Sequence, residues 1–241
     1  MKKIAKLLKG YKRICFLDFE GTQYSHEMIA FGAVLAILDK EGRIKTHKKP
    51  IKFYVKAKNN IGKFVEDLTG INQHMLDRVG IPFSRAVTEI KKYCGLAFSR
   101  CAFMTFGNHD MKIFNSSISH NLDTPTDITS VIHKNFVDYQ AFISDFIKNS
   151  DGNPYSLENY LRVFNVDFNG TTHDPKDDAY NLMLLYDNFL RNPEIVLDEY
   201  LKVLGGVRHL PTPIKVAAEK LSRGEDMSAA EFKEIARGDL K

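Results

Sequence analysis

The chain has 241 residues, and its 34 Lys and Arg against 30 Asp and Glu give a formal net charge of +4. Hydrophobic residues make up 44% and charged residues 27%, ordinary globular proportions that exclude a disordered, collagen-like or low-complexity chain. This length allows a substantial core, in one large domain or in one domain with an appendage.

Cysteine usage and hydropathy bear on the cellular location. Cys15, Cys94 and Cys101 are too few for a disulfide scaffold and match no zinc-binding spacing, so we expect reduced thiols. The basic N-terminus is not followed by the apolar segment of a secretory signal, and no run of 18 apolar residues occurs. The sequence therefore predicts a soluble, cytoplasmic protein that does not span a membrane.

Two stretches of the chain are strongly basic. Residues 1–13 carry six Lys and Arg and no acid, and residues 40–58 carry eight bases and one acid. Basic residues interleaved with Tyr and Phe suit a polyanion such as a nucleic acid. Lysines also protect a solvated strand edge from aggregation, so the pattern alone leaves both interpretations open.

The predicted elements alternate between strands and helices. Apolar runs predict strands over 14–17, 28–38, 44–55, 102–106 and 135–139. Helical spacing predicts helices over 61–68, 73–79, 83–93, 109–118, 140–148, 156–164 and 174–190. Three strands followed by helices and further strands are typical of an α/β or α+β domain built around a mixed sheet.

The C-terminal part of the chain has a different character. Asn192 and Pro193 form a plausible boundary, so we expect a main domain over 1–192 and a helical extension over 193–241. Ser228 and Glu231 have the spacing of a capping box, which predicts a final helix. Residues 205–241 hold seven bases and six acids, a balance that favours a packing or protein-binding appendage over a nucleic-acid-binding arm.

Two acids follow the first predicted strand. Side chains two residues apart on a strand share a face, so Asp18 and Glu20 project together. Paired carboxylates repel each other and lose hydration, and a hard divalent cation compensates for both effects. A solvated pair at a strand end is the alternative.

Two further acidic groups lie near predicted helix starts. Asp110 falls in the first turn of a helix, where the helix dipole alone favours an acid. Asp174 precedes a proline and is expected to cap the next helix, with Asp177 completing the capping pattern. Capping accounts for neither Asp178 nor His173, which precedes the helix.

In this order, D-x-E, a later Asp and H-x-x-x-x-D resemble the motifs of the DEDDh 3′–5′ exonucleases. Flanking segments are similar too: E-M-I-A-F-G-A-V at 27–34, L-T-G-I at 68–71, F-G-N-H-D at 106–110 and S-L-E-N-Y-L at 156–161. The resemblance covers about residues 12–191 and implies the α/β, RNase H-like fold, with a mixed five-stranded sheet flanked by helices, to which the helical C-terminal extension expected over 193–241 is added. The D-F-E and G-N-x-D forms look closest to the histone-mRNA and small-RNA 3′ exonuclease branch. His109 and Gly21 depart from that branch, where an aromatic residue and alanine are expected.

The resemblance implies a role for each catalytic residue. Asp18, Glu20 and Asp178 would hold one Mg²⁺ or Mn²⁺ ion, and a second ion would be reached by Asp18 directly and by Asp110 through water. His173 would be the general base. The expected reaction releases nucleoside 5′-monophosphates from the free 3′ end of RNA or single-stranded DNA.

Substrate contacts are also implied by the resemblance. Thr22, Leu68, Thr69 and Ile71 would pack on the terminal nucleotide, although core packing is an equal explanation for Leu68 and Ile71. Asn108 would either touch the scissile phosphate or cap the helix of Asp110. Two other functions stay open: a catalytically silent nucleic-acid-binding module, and a polymerase-associated proofreading module that binds its partner through residues 193–241.

Overall fold

The computed structural model describes residues 2–207 and 209–238, so residues 1, 208 and 239–241 of the two predicted domains lie outside it. Six strands form one sheet: β1 (Arg13–Gly21), β2 (Met28–Leu38), β3 (Ile44–His47), β4 (Ile51–Tyr54), β5 (Ala102–Thr105) and β6 (Phe136–Asp138). The strand order is β3-β2-β1-β5-β6, with β4 also paired to β2. Strands β1 to β4 pair antiparallel, whereas β5 pairs parallel with β1 and β6 parallel with β5. The predicted mixed α/β sheet is confirmed.

The predicted count of five strands is wrong by one. The single strand expected over 44–55 is divided into β3 and β4, and both pair with β2 at different positions along it. Pro50 lies in the break, where a residue without a backbone N–H cannot continue a ladder.

Twelve helices occur in the described residues. Those of the main part are α1 (Lys2–Leu8), α2 (Lys63–Thr69), α3 (Gln73–Val79), α4 (Phe83–Cys94), α5 (His109–His120), α6 (Thr126–Lys134), α7 (Tyr139–Ile143), α8 (Leu157–Val163) and α9 (Pro175–Arg191). A 3₁₀ helix spans Gly95–Arg100. The helix predicted over 140–148 is too long, because α7 ends at Ile143, and α6 was not predicted.

Hydrophobic cores cover both faces of the sheet. On one face Phe16 and Val34 pack with side chains of α9, including Leu182 and Tyr186. On the other face the alternate residues of β1 and β2 pack with α4, α5 and α6. Because β1 and β2 are buried on both sides, their sequences are nearly continuous apolar runs. The acids at the end of β1 are therefore held by a rigid central strand.

The C-terminal part is helical, as expected. It contains α10 (Pro193–Gly205), α11 (Thr212–Ser222) and α12 (Ala229–Gly238), and Val196 of α10 joins the core under α9. The N–H of Glu231 donates to the Ser228 hydroxyl at 3.1 Å, but the Glu231 carboxylate pairs with Lys220 and does not close the capping box. Among the described residues, no helix combines the length and apolarity needed to cross a bilayer.

Candidate active site

Three carboxylates meet where β1 ends. Asp18 and Glu20 project from the same face of this strand, and Asp178 comes from the first turn of α9. One oxygen atom of each of these residues lies within 4.8 Å of the other two. Oxygen-only donor sets of this kind suit hard divalent cations such as Mg²⁺ and Mn²⁺.

A glycine of β2 allows α9 to approach so closely. Gly32 pairs with Asp18 in the β1–β2 ladder, and a Cβ atom at Gly32 would lie 1.9 Å from the carbonyl oxygen of Pro175. The first turn of α9 therefore rests directly on the strand backbone. This contact carries Asp178 to the acids of β1.

Asp110 completes the acidic group from the opposite side. It lies buried in the first turn of α5, and its Oδ1 accepts a hydrogen bond from the backbone N–H of Phe19 at 2.8 Å. Phe19 stands between Asp18 and Glu20 in β1. The hydrogen bond therefore fixes the position of α5 relative to the two strand carboxylates.

Burial and mutual repulsion favour protonation of these carboxylates when no cation is bound. Burial, followed by the charges of Asp110, Asp178 and Glu20, holds the pKa of Asp18 well above its usual range. Burial and then the charges of Asp178 and Asp110 raise the pKa of Glu20 to about 8. Burial likewise raises the pKa of Asp110 and that of Asp178 to about 7, opposed by backbone N–H groups. A divalent cation at this centre would favour the charged forms.

His173 lies at the mouth of the same cleft. The cleft has a volume of about 370 Å³, and its lining includes all five predicted catalytic residues together with Phe106, His109, Ser156, Leu157, Glu158 and Phe168. His173 is exposed and adopts a left-handed backbone conformation with φ 63° immediately before α9. The structure thus brings the predicted residues of the three motifs together.

The caps of α9 and α5 differ from those expected. Asp174 caps α9 as predicted, because its Oδ1 accepts from the N–H of Lys176 at 3.1 Å. Asp177 does not complete the capping pattern, since its Oδ2 accepts from the N–H of Thr171 at 3.0 Å. Asn108 is at the N-cap of α5 but has helical φ and ψ angles and makes no side-chain capping hydrogen bond, so the capping alternative is wrong.

The four predicted nucleotide contacts differ in accessibility. Thr22 is 1% exposed, and its Oγ1 accepts from the N–H of Glu27 at 2.9 Å. Ile71 is buried in a small core, and the Thr69 hydroxyl donates to the carbonyl of Val65. Leu68, by contrast, is 43% exposed. Of these four side chains, Leu68 is the one that is exposed, and none of the four lines the cleft that holds the acids.

Two exposed aromatic residues, one in α2 and one in the β1–β2 loop, were not predicted. Phe64 precedes Leu68 by one turn of α2 and is 65% exposed, and Tyr24 is exposed in the β1–β2 loop. Gln23 links the two segments, because its N–H donates to the carbonyl of Ile61 and its Oε1 accepts from the N–H of Phe64. The i, i+4 spacing of Phe64 and Leu68 was the available sequence signal.

The two departures from the expected branch lie beside the acids. The His109 ring meets the His26 ring edge to face, with 5.6 Å between the ring centroids, at the border of the cleft. A Cβ atom at Gly21 would lie 2.8 Å from Cγ1 of Ile113 in α5. Glycine at this position therefore lets α5, which carries Asp110, pack close to β1.

The fold and site define an α/β protein with an RNase H-like sheet that gathers acidic side chains at the end of its central strand. The sequence profile of the exonuclease family matches residues 15–186. The chain belongs to this exonuclease family of nuclease hydrolases, and the predicted resemblance to the DEDDh exonucleases is confirmed. A search of curated protein sequences gives no match.

Solved structures share the fold at low sequence identity. The nuclease domain of 3′hExo, a DEDDh family member bound to rAMP, is 23% identical, with a TM-score of 0.60 and coverage of 76% of this chain and 94% of that one. Cell-death related nuclease 4 (CRN-4) is 18% identical, with a TM-score of 0.60 and coverage of 75% and 64%. E. coli Exonuclease I in complex with a dT13 oligonucleotide is 18% identical, with a TM-score of 0.57 and coverage of 86% and 46%.

Proposed function

We propose that this protein is a metal-dependent exonuclease that removes nucleotides from the 3′ end of RNA or single-stranded DNA and releases nucleoside 5′-monophosphates. The observation that carries the proposal is the group of three carboxylates within 4.8 Å of one another, in a chain of the exonuclease family. Similar structures contain rAMP in one case and a dT13 oligonucleotide in another, which supports both kinds of substrate.

The proposed chemistry uses two divalent ions, Mg²⁺ or Mn²⁺, which supply an activated water and stabilise the leaving 3′-oxygen. Asp18, Glu20 and Asp178 would hold one ion, and Asp18 would share the other with Asp110, which acts through water. His173 would accept the proton of the attacking water, because its exposed position at the cleft mouth leaves the imidazole accessible.

Substrate binding would combine stacking with charge. Phe64, Leu68 and Tyr24 offer exposed apolar side chains on which bases stack with little sequence preference. The basic stretch at 40–58 includes β3 at the edge of the sheet, which contacts α9 through Ile44 and His47, and β4, which contacts the N-cap of α9 through Lys52; cations here would attract a phosphate backbone. We propose a cytoplasmic location because all three cysteines are free and buried.

The decisive experiment follows 5′-labelled oligonucleotides, as RNA, single-stranded DNA and duplexes, with Mg²⁺ or Mn²⁺. A 3′–5′ exonuclease gives labelled products that shorten progressively, whereas attack from the 5′ end releases the label at once as a mononucleotide. We expect Asp18→Asn to abolish hydrolysis while thermal unfolding shows an intact fold. The exposed Asp151→Asn is the matched control and should retain wild-type activity. Full metal-dependent activity in Asp18→Asn would contradict the proposal.

The alternative of a silent binding or proofreading module makes different predictions. Mn²⁺ would raise the unfolding temperature, but no 3′ end would be hydrolysed. Exposed apolar side chains in the C-terminal helices support a protein partner: Leu197, Ile214, Leu221 and Phe232. Co-purification of a polymerase with the full chain, lost on Leu221→Asp but not on Lys233→Asp, would favour the proofreading function.

A further inference from the structure

Lys52 stands in the same row of the sheet as Asp18. Asp18 pairs with Gly32 across β1 and β2, and Gly32 pairs with Lys52 across β2 and β4. Directly paired residues of adjacent strands present their side chains to the same face. Lys52 therefore shares the face of the carboxylates, and only a glycine without a side chain separates it from Asp18 in this row.

The Lys52 ammonium group bonds to the residue that caps α9. Its Nζ lies 3.0 Å from Oδ2 of Asp174, and the two side chains are only 20% and 25% exposed. The other Asp174 oxygen, Oδ1, accepts a hydrogen bond from the backbone N–H of Lys176 in the first turn of α9. The ammonium also lies over the Tyr54 ring, 4.8 Å from its centroid, which restricts the lysine further.

The same turn of α9 carries Asp178. The N–H of Asp178 donates to the backbone carbonyl of Asp174 at 2.9 Å, and His173 directly precedes Asp174. Pro175 of this turn rests on Gly32, the residue between Lys52 and Asp18. The ion pair thus joins β4 to the one segment that supplies both the third carboxylate and the histidine of the site.

We propose that Lys52 is a positioning residue of the metal centre. Its ion pair with Asp174 fixes the first turn of α9 and thereby sets Asp178 and His173 relative to Asp18 and Glu20. This inference rests on the proposed exonuclease function for its kinetic consequence, but its consequence for metal binding does not depend on catalysis.

Two other roles for Lys52 predict different results. As a mere positive charge near the acids, Lys52 would weaken cation binding, so Lys52→Met would bind Mn²⁺ more tightly. As a ligand of a substrate phosphate, Lys52 would lower KM, so the same variant would raise KM. A positioning role predicts weaker Mn²⁺ binding and a lower kcat with KM little changed.

The experiment compares Lys52→Met and Lys52→Arg with Lys134→Met, which removes an exposed cation from the last turn of α6. Calorimetric titration with Mn²⁺ in the absence of substrate gives the metal affinity, and oligonucleotide hydrolysis gives kcat and KM. Loss of a group that orients a metal ligand costs about 10-fold to 100-fold in affinity or activity, which we expect for Lys52→Met. Lys52→Arg should restore most of both quantities, and Lys134→Met should match the wild type.

Asp174→Asn tests the ion pair from its other side and covers the case in which Lys52→Met does not fold. Asparagine keeps an oxygen that caps α9 but loses the charge that holds Lys52. We expect the same loss of Mn²⁺ affinity. Unchanged or tighter Mn²⁺ binding in either variant, or a rise in KM alone, would overturn the proposal. A wild-type protein that binds Mn²⁺ but hydrolyses nothing would refute the proposed function and leave the metal-binding test intact.

Discussion

Replacing Gly32 with alanine perturbs the contact that places α9 over the sheet. A Cβ atom there would lie 1.9 Å from the Pro175 oxygen and 2.3 Å from the backbone N of Lys176, so neither neighbour is a side chain that can rotate away. To reach a separation of even 3.0 Å, strand and helix must move apart by 1.1 Å along this contact. Asp178 lies in the displaced turn.

The displacement predicts a large functional effect and a smaller structural one. A shift of about 1 Å in a catalytic group costs about 100-fold in rate, whereas overpacking a core costs about 1–3 kcal/mol in stability. We expect Gly32→Ala to lose about 100-fold in kcat/KM and to bind Mn²⁺ more weakly. Oligonucleotide hydrolysis stopped at set times gives kcat/KM, and titration with Mn²⁺ gives the metal affinity. Denaturant unfolding gives the stability.

Gly206→Ala is the control for Gly32→Ala. Its Cβ would lie 3.6 Å from the nearest atom, an ordinary contact, so activity and Mn²⁺ affinity should equal those of the wild type. If Gly32→Ala folds and keeps full activity and metal affinity, the close contact between α9 and β2 does not position the centre, and the reasoning is refuted.

Three further predictions concern protonation, a buried carboxylate and the substrate surface. The pKa values of the site acids are raised, to about 8 for Glu20 and about 7 for Asp110 and Asp178, so the metal-free fold binds protons more tightly than the unfolded chain. Their contribution to the free energy of unfolding should therefore fall as pH rises from about 4 to 8, which denaturant unfolding at a series of pH values measures. Mn²⁺ should bind more tightly over the upper part of that range and release protons, which calorimetry in two buffers of different ionisation enthalpy measures. Buried Glu27 accepts bonds from the N–H groups of Lys58 and Asn59, so Glu27→Gln should cost about 1–3 kcal/mol in urea unfolding, while exposed Glu41→Gln should cost almost nothing. Phe64→Ala should weaken oligonucleotide binding by about 1–3 kcal/mol in a fluorescence assay, and an equal loss on Leu122→Ala would contradict a specific stacking surface.

The sequence predicts the central strands well and the sheet edge less well. Strands β1 and β2 are buried on both faces, so their apolar runs are unambiguous. Residues 44–55 were predicted as one strand. Pro50 divides this segment because β3 and β4 pair with different parts of β2, and the local sequence does not show where that pairing changes. Helix α6 was missed because its polar residues obscure a short buried stripe at Ile128 and Ile132.

The residues that meet in the cleft were predicted from the sequence, whereas the contacts that support them were not. The order of the acids along the chain indicates Asp18 and its partners through the resemblance to the DEDDh exonucleases, because a D-x-E pair alone also fits a solvated strand end. Gly32 and Lys52 gain their importance from strand register, which the local sequence does not specify. The burial of Ile71, in the loop between α2 and α3, likewise depends on packing against Leu76 of α3.

The centre joins residues 160 positions apart, Asp18 near the start of the main part and Asp178 near its end. Helix α9, which brings Asp178, also supplies much of the core on one face of the sheet. A nascent or truncated chain that lacks α9 has neither that core face nor a complete set of carboxylates. The proposed nuclease activity would therefore become available only after this helix has been synthesised and folded, and unfinished copies would pose no hazard to cellular nucleic acid.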